Sequence, residues 1–318
     1  MLAYIVRRIL HAMLVILLVS VAVFLLIRAL PGDPIEMLVH STVITDAPQE
    51  VIDYYRHLYG LDQPLVIQYV RWLFDILRGD FGRSILHRYE VREEILRRLP
   101  LTMTLGFTAF IIGIIVGPTL GVICAIRRGK LIDNIVAFIA NIGITAPQFW
   151  VGIMLMYVFA LKLNVLPLYG FTLPWVDLGW SIRQGILPIF VIALFPIASS
   201  SRQMRSSVIE ILQEDYVRTA WAKGLNERKV LVKHIIKNSI MPVVTLQGML
   251  LRNIVGGSVV VETVFVIPGM GSMLINSIVS RDYVITQGVM LVLVTVVVIA
   301  NLFVDLLYGW LDPRIQYE

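Results

Sequence analysis

The sequence predicts an all-α polytopic membrane protein with six transmembrane helices and both termini in the cytoplasm. Three observations predict it. Of the 318 residues, 58% are hydrophobic. The mean hydropathy is +0.80. The apolar residues gather into six runs near the length of roughly 20 residues that a helix needs to cross a bilayer. A soluble domain carries less apolar sequence than this and confines it to amphipathic faces.

Residues 9–27 form the first run and follow Arg7 and Arg8. The run is longer than the core of a signal peptide. Arg28 and the turn-forming Pro31, Gly32, Asp33 and Pro34 come next, not a small-residue cleavage site, so the segment is expected to stay as an anchor. The second and third runs, 99–126 and 134–161, are uncharged. The fourth, 184–201, is short and holds Pro188 and Pro196. The fifth, 239–261, is interrupted only by Arg252, and the sixth, 283–304, is again uncharged.

Orientation follows from the basic residues of the short loops. With the N-terminus inside, the cytoplasmic side holds Arg7, Arg8, Arg127, Arg128, Lys130 and Arg314, and the 201–238 loop adds eight more basic residues from Arg202 to Lys237. The short outer loops hold only Lys162, Arg183 and Arg281. This bias accounts for the net charge of +5, so nucleic acid is not expected as a partner; anionic lipid is. The single cysteine, Cys124, sits in the second run, where it reads as a packing residue.

The chain then divides into an anchor helix (1–30), an extracytoplasmic helical region (31–98), a transmembrane core (99–308) with a cytoplasmic loop (202–238), and a tail (309–318). Within the extracytoplasmic region, 48–58 and 64–78 have the spacing of amphipathic helices. Gly79, Asp80, Phe81 and Gly82 make a turn, and a helix from Val91 leads into the second span.

Catalytic chemistry is not expected. There is no phosphate loop, no His-Glu-x-x-His and no Gly-x-Ser-x-Gly. His11, His40, His57, His87 and His234 are scattered, so neither a metal site nor a cofactor is predicted. If nucleotide drives the protein, another subunit binds it.

Two features carry function instead. The first is the basic stretch Glu214–Pro242. Residues 213–223 read as a helix that ends at Gly224, a left-handed C′ residue, with Lys223 near the negative end of the dipole. Asn226 then caps a second helix that begins at Glu227. A helix–turn–helix between two spans is a docking element. The second feature is polar residues inside the spans. Gly248, Arg252 and Gly256 share one face of the fifth run, either as the wall of a water-filled path or as a packing face whose arginine is ion-paired. Asn141, Thr145 and Gln148 surround Pro147, which marks a break or kink in the third run. Asn141 and Gln148 join Arg252, Gly248 and Gly256 as candidates to line a translocation pathway.

From end to end the chain resembles the first permease of the dipeptide/oligopeptide/nickel family of bacterial ABC importers. The resemblance rests on Tyr4, Ile5, Val6, Arg7 and Arg8; on Pro31-Gly32-Asp33-Pro34; and on Gly60-Leu61-Asp62-Gln63-Pro64 and Gly79-Asp80-Phe81-Gly82. It continues through Asp215-Tyr216-Val217-Arg218-Thr219-Ala220 with Ala222-Lys223-Gly224-Leu225, through Val261-Glu262 and Pro268-Gly269-Met270-Gly271, and into Leu311-Asp312-Pro313-Arg314-Ile315. The resemblance implies the type I importer permease fold in the bacterial inner membrane. It also implies a second homologous permease, two ATP-binding subunits and an extracytoplasmic solute-binding protein as partners. The cytoplasmic loop would carry the EAA-type coupling helix, with Asp215, Arg218, Thr219, Ala220, Lys223, Gly224 and Leu225 at the ATPase contact. Arg218 and Thr219 stand where the general motif has Glu and Ala, and Trp221 stands where a basic residue is expected. Peptide is the implied substrate; nickel or its chelates, glutathione and oligosaccharides are carried by the same family. An ATP-independent secondary transporter is the rival class, and it would require titratable residues in several spans.

Overall fold

The structure, a computed structural model, describes residues 2–29, 49–58, 60–251 and 253–311. Arg252, His40, the turn at residues 31–34 and the tail beyond residue 311 lie outside the described residues, and the side chains of 253–257 are likewise not described. All regular elements among the described residues are helical; the one β-bridge pairs Arg83 with Glu90.

Among the described residues four helices are long and apolar enough to cross a membrane. They are α1 (Leu2–Ala29), α4 (Val91–Ile126), α7 (Leu178–Ile211) and α13 (Tyr283–Leu311), the last with its apolar stretch over Tyr283–Leu306. The short fourth run is thus the middle of a 34-residue helix that continues through Pro188 and Pro196. Asp177 opens that helix by accepting the Trp180 N–H at 3.0 Å.

The third run is not one straight span. It forms α5 (Leu131–Thr145) and α6 (Gln148–Leu155), the latter continued by a π-helical stretch over Met156–Lys162, and the two arms meet at 114°. Pro147 is the cause. Its ring excludes helical backbone from the residue before it, and Ala146 accordingly has φ −73° and ψ 134°. A fifth crossing exists if this bent pair is counted as one. The fifth run appears as α10 (Lys237–Leu251) and α11 (Asn253–Val264), on either side of residue 252.

The chain packs as two units, residues 1–100 with 269–318, and residues 101–268. This division follows packing, whereas the four-part division above follows the sides of the membrane. In the first unit α1 lies along α13, where Arg8 pairs with Asp305 at 3.0 Å and Tyr4 donates to the Asp305 carbonyl at 3.0 Å. Two further helices are α2 (Gln49–Leu58) and α3 (Leu65–Leu77), both foreseen from periodicity, and α3 sits beside α1. Tyr69 and Trp72 of α3 surround the buried Phe24. Gly60 (φ +65°) and Gly79 (φ +83°) end α2 and α3 in the left-handed conformation expected of glycine. His57 in the last turn of α2 and Asp62 in the loop after it approach to 2.7 Å, and this hydrogen bond holds the Asp62 carboxyl below the usual carboxylate range. The 83–90 loop is fastened to the start of α13 by Asp282, which accepts from Ser84 Oγ at 2.6 Å and from the Leu86 N–H at 3.3 Å.

In the second unit α7 is central. Gly113, Gly117 and Gly121, one turn apart on α4, face it so closely that an added Cβ would stand 2.7 Å from Pro196 Cβ, 2.7 Å from Ser200 Cβ and 2.5 Å from the Ser201 carbonyl oxygen, respectively. Small residues at four-residue spacing let two backbones meet where lipid offers no hydrophobic drive between helices. Gly143 of α5 packs on Leu194 and Ala198 of the same helix. Cys124 is buried, as its position in the second span led one to expect.

Candidate functional site

The cytoplasmic-loop reading concerns α8 (Asp215–Ala222) and α9 (Glu227–Val230), which is followed by a π-helical stretch over Leu231–Ile236. The turn between α8 and α9 is a Schellman motif. Gly224 N–H donates to the Trp221 carbonyl at 2.9 Å, and Leu225 N–H to the Ala220 carbonyl at 3.4 Å. Both bonds require a left-handed residue at C′, and Gly224 supplies it with φ +74°. Nothing lies within 4 Å of a Cβ placed there, so glycine is needed for its backbone and not for space. Asn226 then opens α9 by accepting the Arg228 N–H at 3.1 Å.

The two-helix element is amphipathic. Val217 and Ala220 are buried together with Met204, Val208, Val230, Ile235 and Val243, and Leu225 packs on the same cluster. At about 25 cal/mol per Å² of apolar surface removed from water, this face holds the element on the ends of the long helices. Tyr216 Oη accepts from Asn238 Nδ2 at 3.0 Å and fixes the element at a second point. The opposite face is open. Asp215 and Arg218 lie 3.4 Å apart and are 96% and 68% exposed, which makes this pair worth little to stability. Thr219, Trp221, Lys223 and Gly224 share that face. The set expected to touch a partner therefore splits: Asp215, Arg218, Thr219, Lys223 and Gly224 are presented, while Ala220 is buried and Leu225 half-buried. The alternation of apolar and polar positions carried the signal for that split.

The candidate pathway residues are less of a cluster. Arg252 lies outside the described residues and Gly256 has no described surroundings. Gly248 is half-buried on α10, Gln148 is half-buried at the start of α6, and Asn141 is exposed on α5, on the far side of the 114° bend. The same unit contains two polar pairs that sequence reasoning missed. Gln247, next to Gly248, is buried and donates through Nε2 to Ser200 Oγ on α7. Glu262, fully buried on α11, accepts from Thr102 Oγ1 at 2.7 Å. Nothing local in the sequence names the partner of Glu262, 160 positions away. Among the described residues no group of three His, Cys, Asp or Glu side chains is placed to hold a metal.

Comparison with known proteins gives a consistent picture. Residues 117–317 match the family described as binding-protein-dependent transport system inner membrane component. Residues 1–106 match the N-terminal region described for membrane components of binding-protein-dependent transport systems. The chain is 38% identical over 320 residues to a putative peptide transport system permease protein of Brucella abortus, covering 100% of both chains. It is 35% identical over 320 residues to the oligopeptide transport system permease protein AppB of Bacillus subtilis, again over 100% of both. The dipeptide transport system permease protein DppB of Alkalihalophilus pseudofirmus is 35% identical over 337 aligned positions, with both chains fully covered.

Proposed function

Because the chain belongs to the binding-protein-dependent transport system inner membrane components, we propose that it forms half of the translocation pathway of an ATP-driven importer of di- and oligopeptides. The relatives named for peptide, oligopeptide and dipeptide transport are the reason to place peptide ahead of nickel, glutathione or oligosaccharide. The other half would be a second, homologous permease. A solute-binding protein would deliver peptide to the outer face, and two ATPase subunits would supply the energy.

The observation that carries this reading is the two-helix element of α8 and α9. Its apolar face is anchored to the bundle and its charged face is presented, which is what a lever pushed by a separate motor requires. In this reading Asp215, Arg218, Thr219, Lys223 and Gly224 meet the ATPase cleft, and Ala220 and Leu225 transmit the push inward. The bundle need only have two packings whose balance ATPase closure shifts. Six crossings, with α5 and α6 counted as one and α10 and α11 as another, would put both termini in the cytoplasm along with this element. Residues 31–98 would then lie outside. Gln148, Asn141, Gly248, Arg252 and Gly256 would border the path between the permeases.

The test is composition followed by activity. Gentle purification of the chain from its native membrane should bring a second permease and two phosphate-loop ATPases. Proteoliposomes of that complex with the binding protein should take up peptide only with ATP. Arg218→Glu, which reverses charge on the presented face, should lower ATP-driven uptake without lowering the amount of folded permease. Recovery of this chain alone, with uptake driven by an ion gradient, would instead make it a secondary transporter.

A further inference from the structure

Unit one contains a cleft of about 290 Å³ between the C-terminal end of α1, α3, the 79–85 turn and the first turns of α13. It is distant in sequence from the coupling element and from the candidate pathway residues. Several of its polar groups are already engaged. Arg28 donates to Gln68 Oε1 at 3.1 Å and lies over the Phe24 ring. Arg83 pairs with Glu90 at 3.0 Å, and Asp80 accepts the Gly82 N–H at 2.8 Å.

Three lining groups have no such partner among the described residues. They are the Arg71 guanidinium, the Asp75 carboxylate and the amide Nε2 of Gln287. Gln287 is the telling one, because it is 3% exposed and its donor is buried without an acceptor. An unmet buried donor carries a desolvation penalty that an acceptor on a bound molecule would remove. Arg71 and Asp75 are one turn apart on α3 and could pair with each other, yet they form no ion pair. One cation, one anion and one amide donor thus line one cleft, with Trp72 beside them.

We propose that this cleft binds a small zwitterion, an amino acid or dipeptide, whose carboxylate is held by Arg71 and Gln287 and whose ammonium is held by Asp75. The volume is at the small end of ligand sites, which suits such a molecule. The proposal stands on the cleft's own chemistry and does not depend on the transport reading; in the orientation given above the site would face outward.

The experiment uses the full chain in phosphatidylcholine nanodiscs, with L-alanyl-L-alanine as probe, read by calorimetry and by tryptophan fluorescence. Saturable binding is expected, weakened about tenfold or more by Arg71→Gln and by Asp75→Asn. Asp75→Asn should leave the weaker binding of N-acetyl-L-alanyl-L-alanine unchanged, because that probe has no ammonium. Trp72→Phe should remove the fluorescence change while calorimetric binding persists. Gln287→Met should weaken both probes; because this side chain is buried, the variants of the exposed Arg71 and the half-buried Asp75 carry the decision if it fails to fold. Absence of saturable binding, or binding indifferent to Arg71 and Asp75, overturns the proposal. So does an occupant that appears only with phosphatidylglycerol and is not displaced by dialanine, since a lipid phosphate would then own the site.

Discussion

Arg205 grips Asp133 at two points, Nε to Oδ1 at 2.7 Å and Nη2 to Oδ2 at 2.9 Å. Asp133 also accepts the Gly129 N–H at 2.9 Å, and its side chain is only 4% exposed against 34% for Arg205. The pair ties the start of α5 to α7, six residues before the end of the helix that leads into the coupling element. A carboxylate this buried depends on its partner far more than the arginine does.

Arg205→Met should therefore destabilise the chain by about 2–4 kcal/mol, because it leaves a buried charge without compensation. Asp133→Asn combined with Arg205→Met should recover part of that loss. Thermal unfolding in detergent reads both, and additive losses would mean that the pair does not act as a unit.

The α4–α7 contact predicts a sharp size limit. Gly117→Leu should cost about 3 kcal/mol or more, since the new side chain meets Ser200 and the Ile197 backbone with no room to yield. Gly129→Ala is the control. With φ +75° and nothing within 4 Å, it should cost only about 1–2 kcal/mol of backbone strain. Equal losses would place the importance of Gly117 in its backbone and not in packing.

Gly224 tests the coupling turn by conformation alone. Asn tolerates the left-handed region better than Ala, and Ala better than Val. Peptide uptake per ATP hydrolysed should fall in that order, Gly224→Asn least and Gly224→Val most. Equal coupling in all three would separate this turn from the transmission of force.

Val266 is the converse case. It occupies C′ of α11 with φ +50°, Ile267 N–H donating to the Glu262 carbonyl at 2.8 Å, yet it is β-branched and 67% exposed. Val266→Gly should stabilise the chain by about 0.5–1 kcal/mol, the relieved strain exceeding the entropy that glycine adds to the unfolded chain. Val266→Ala should gain less, as alanine still resists that backbone. A lower unfolding temperature for the glycine variant would show that the side chain contributes packing that outweighs its strain.

What the sequence by itself determined is what nearest neighbours along the chain decide. Apolar runs imposed long helices because a backbone in lipid must satisfy its own hydrogen bonds. Pro147 imposed the break by excluding helical backbone at Ala146. Gly224 and Asn226 punctuated the coupling element through one left-handed residue and one capping side chain. Tertiary structure alone decided what distant residues share. The Gly113, Gly117 and Gly121 stripe means nothing until α7 lies against it, and Thr102 and Glu262 become partners only when two helices bring them within 2.7 Å. It also decided that the third run turns through 114°, that Ala220 faces inward while Arg218 faces out, and that the Gln287 amide finds no acceptor among the described residues. Dihedral preference and capping act over a few residues and are written locally. Close packing and buried hydrogen bonds join positions far apart in the chain, and only the folded arrangement selects which ones meet.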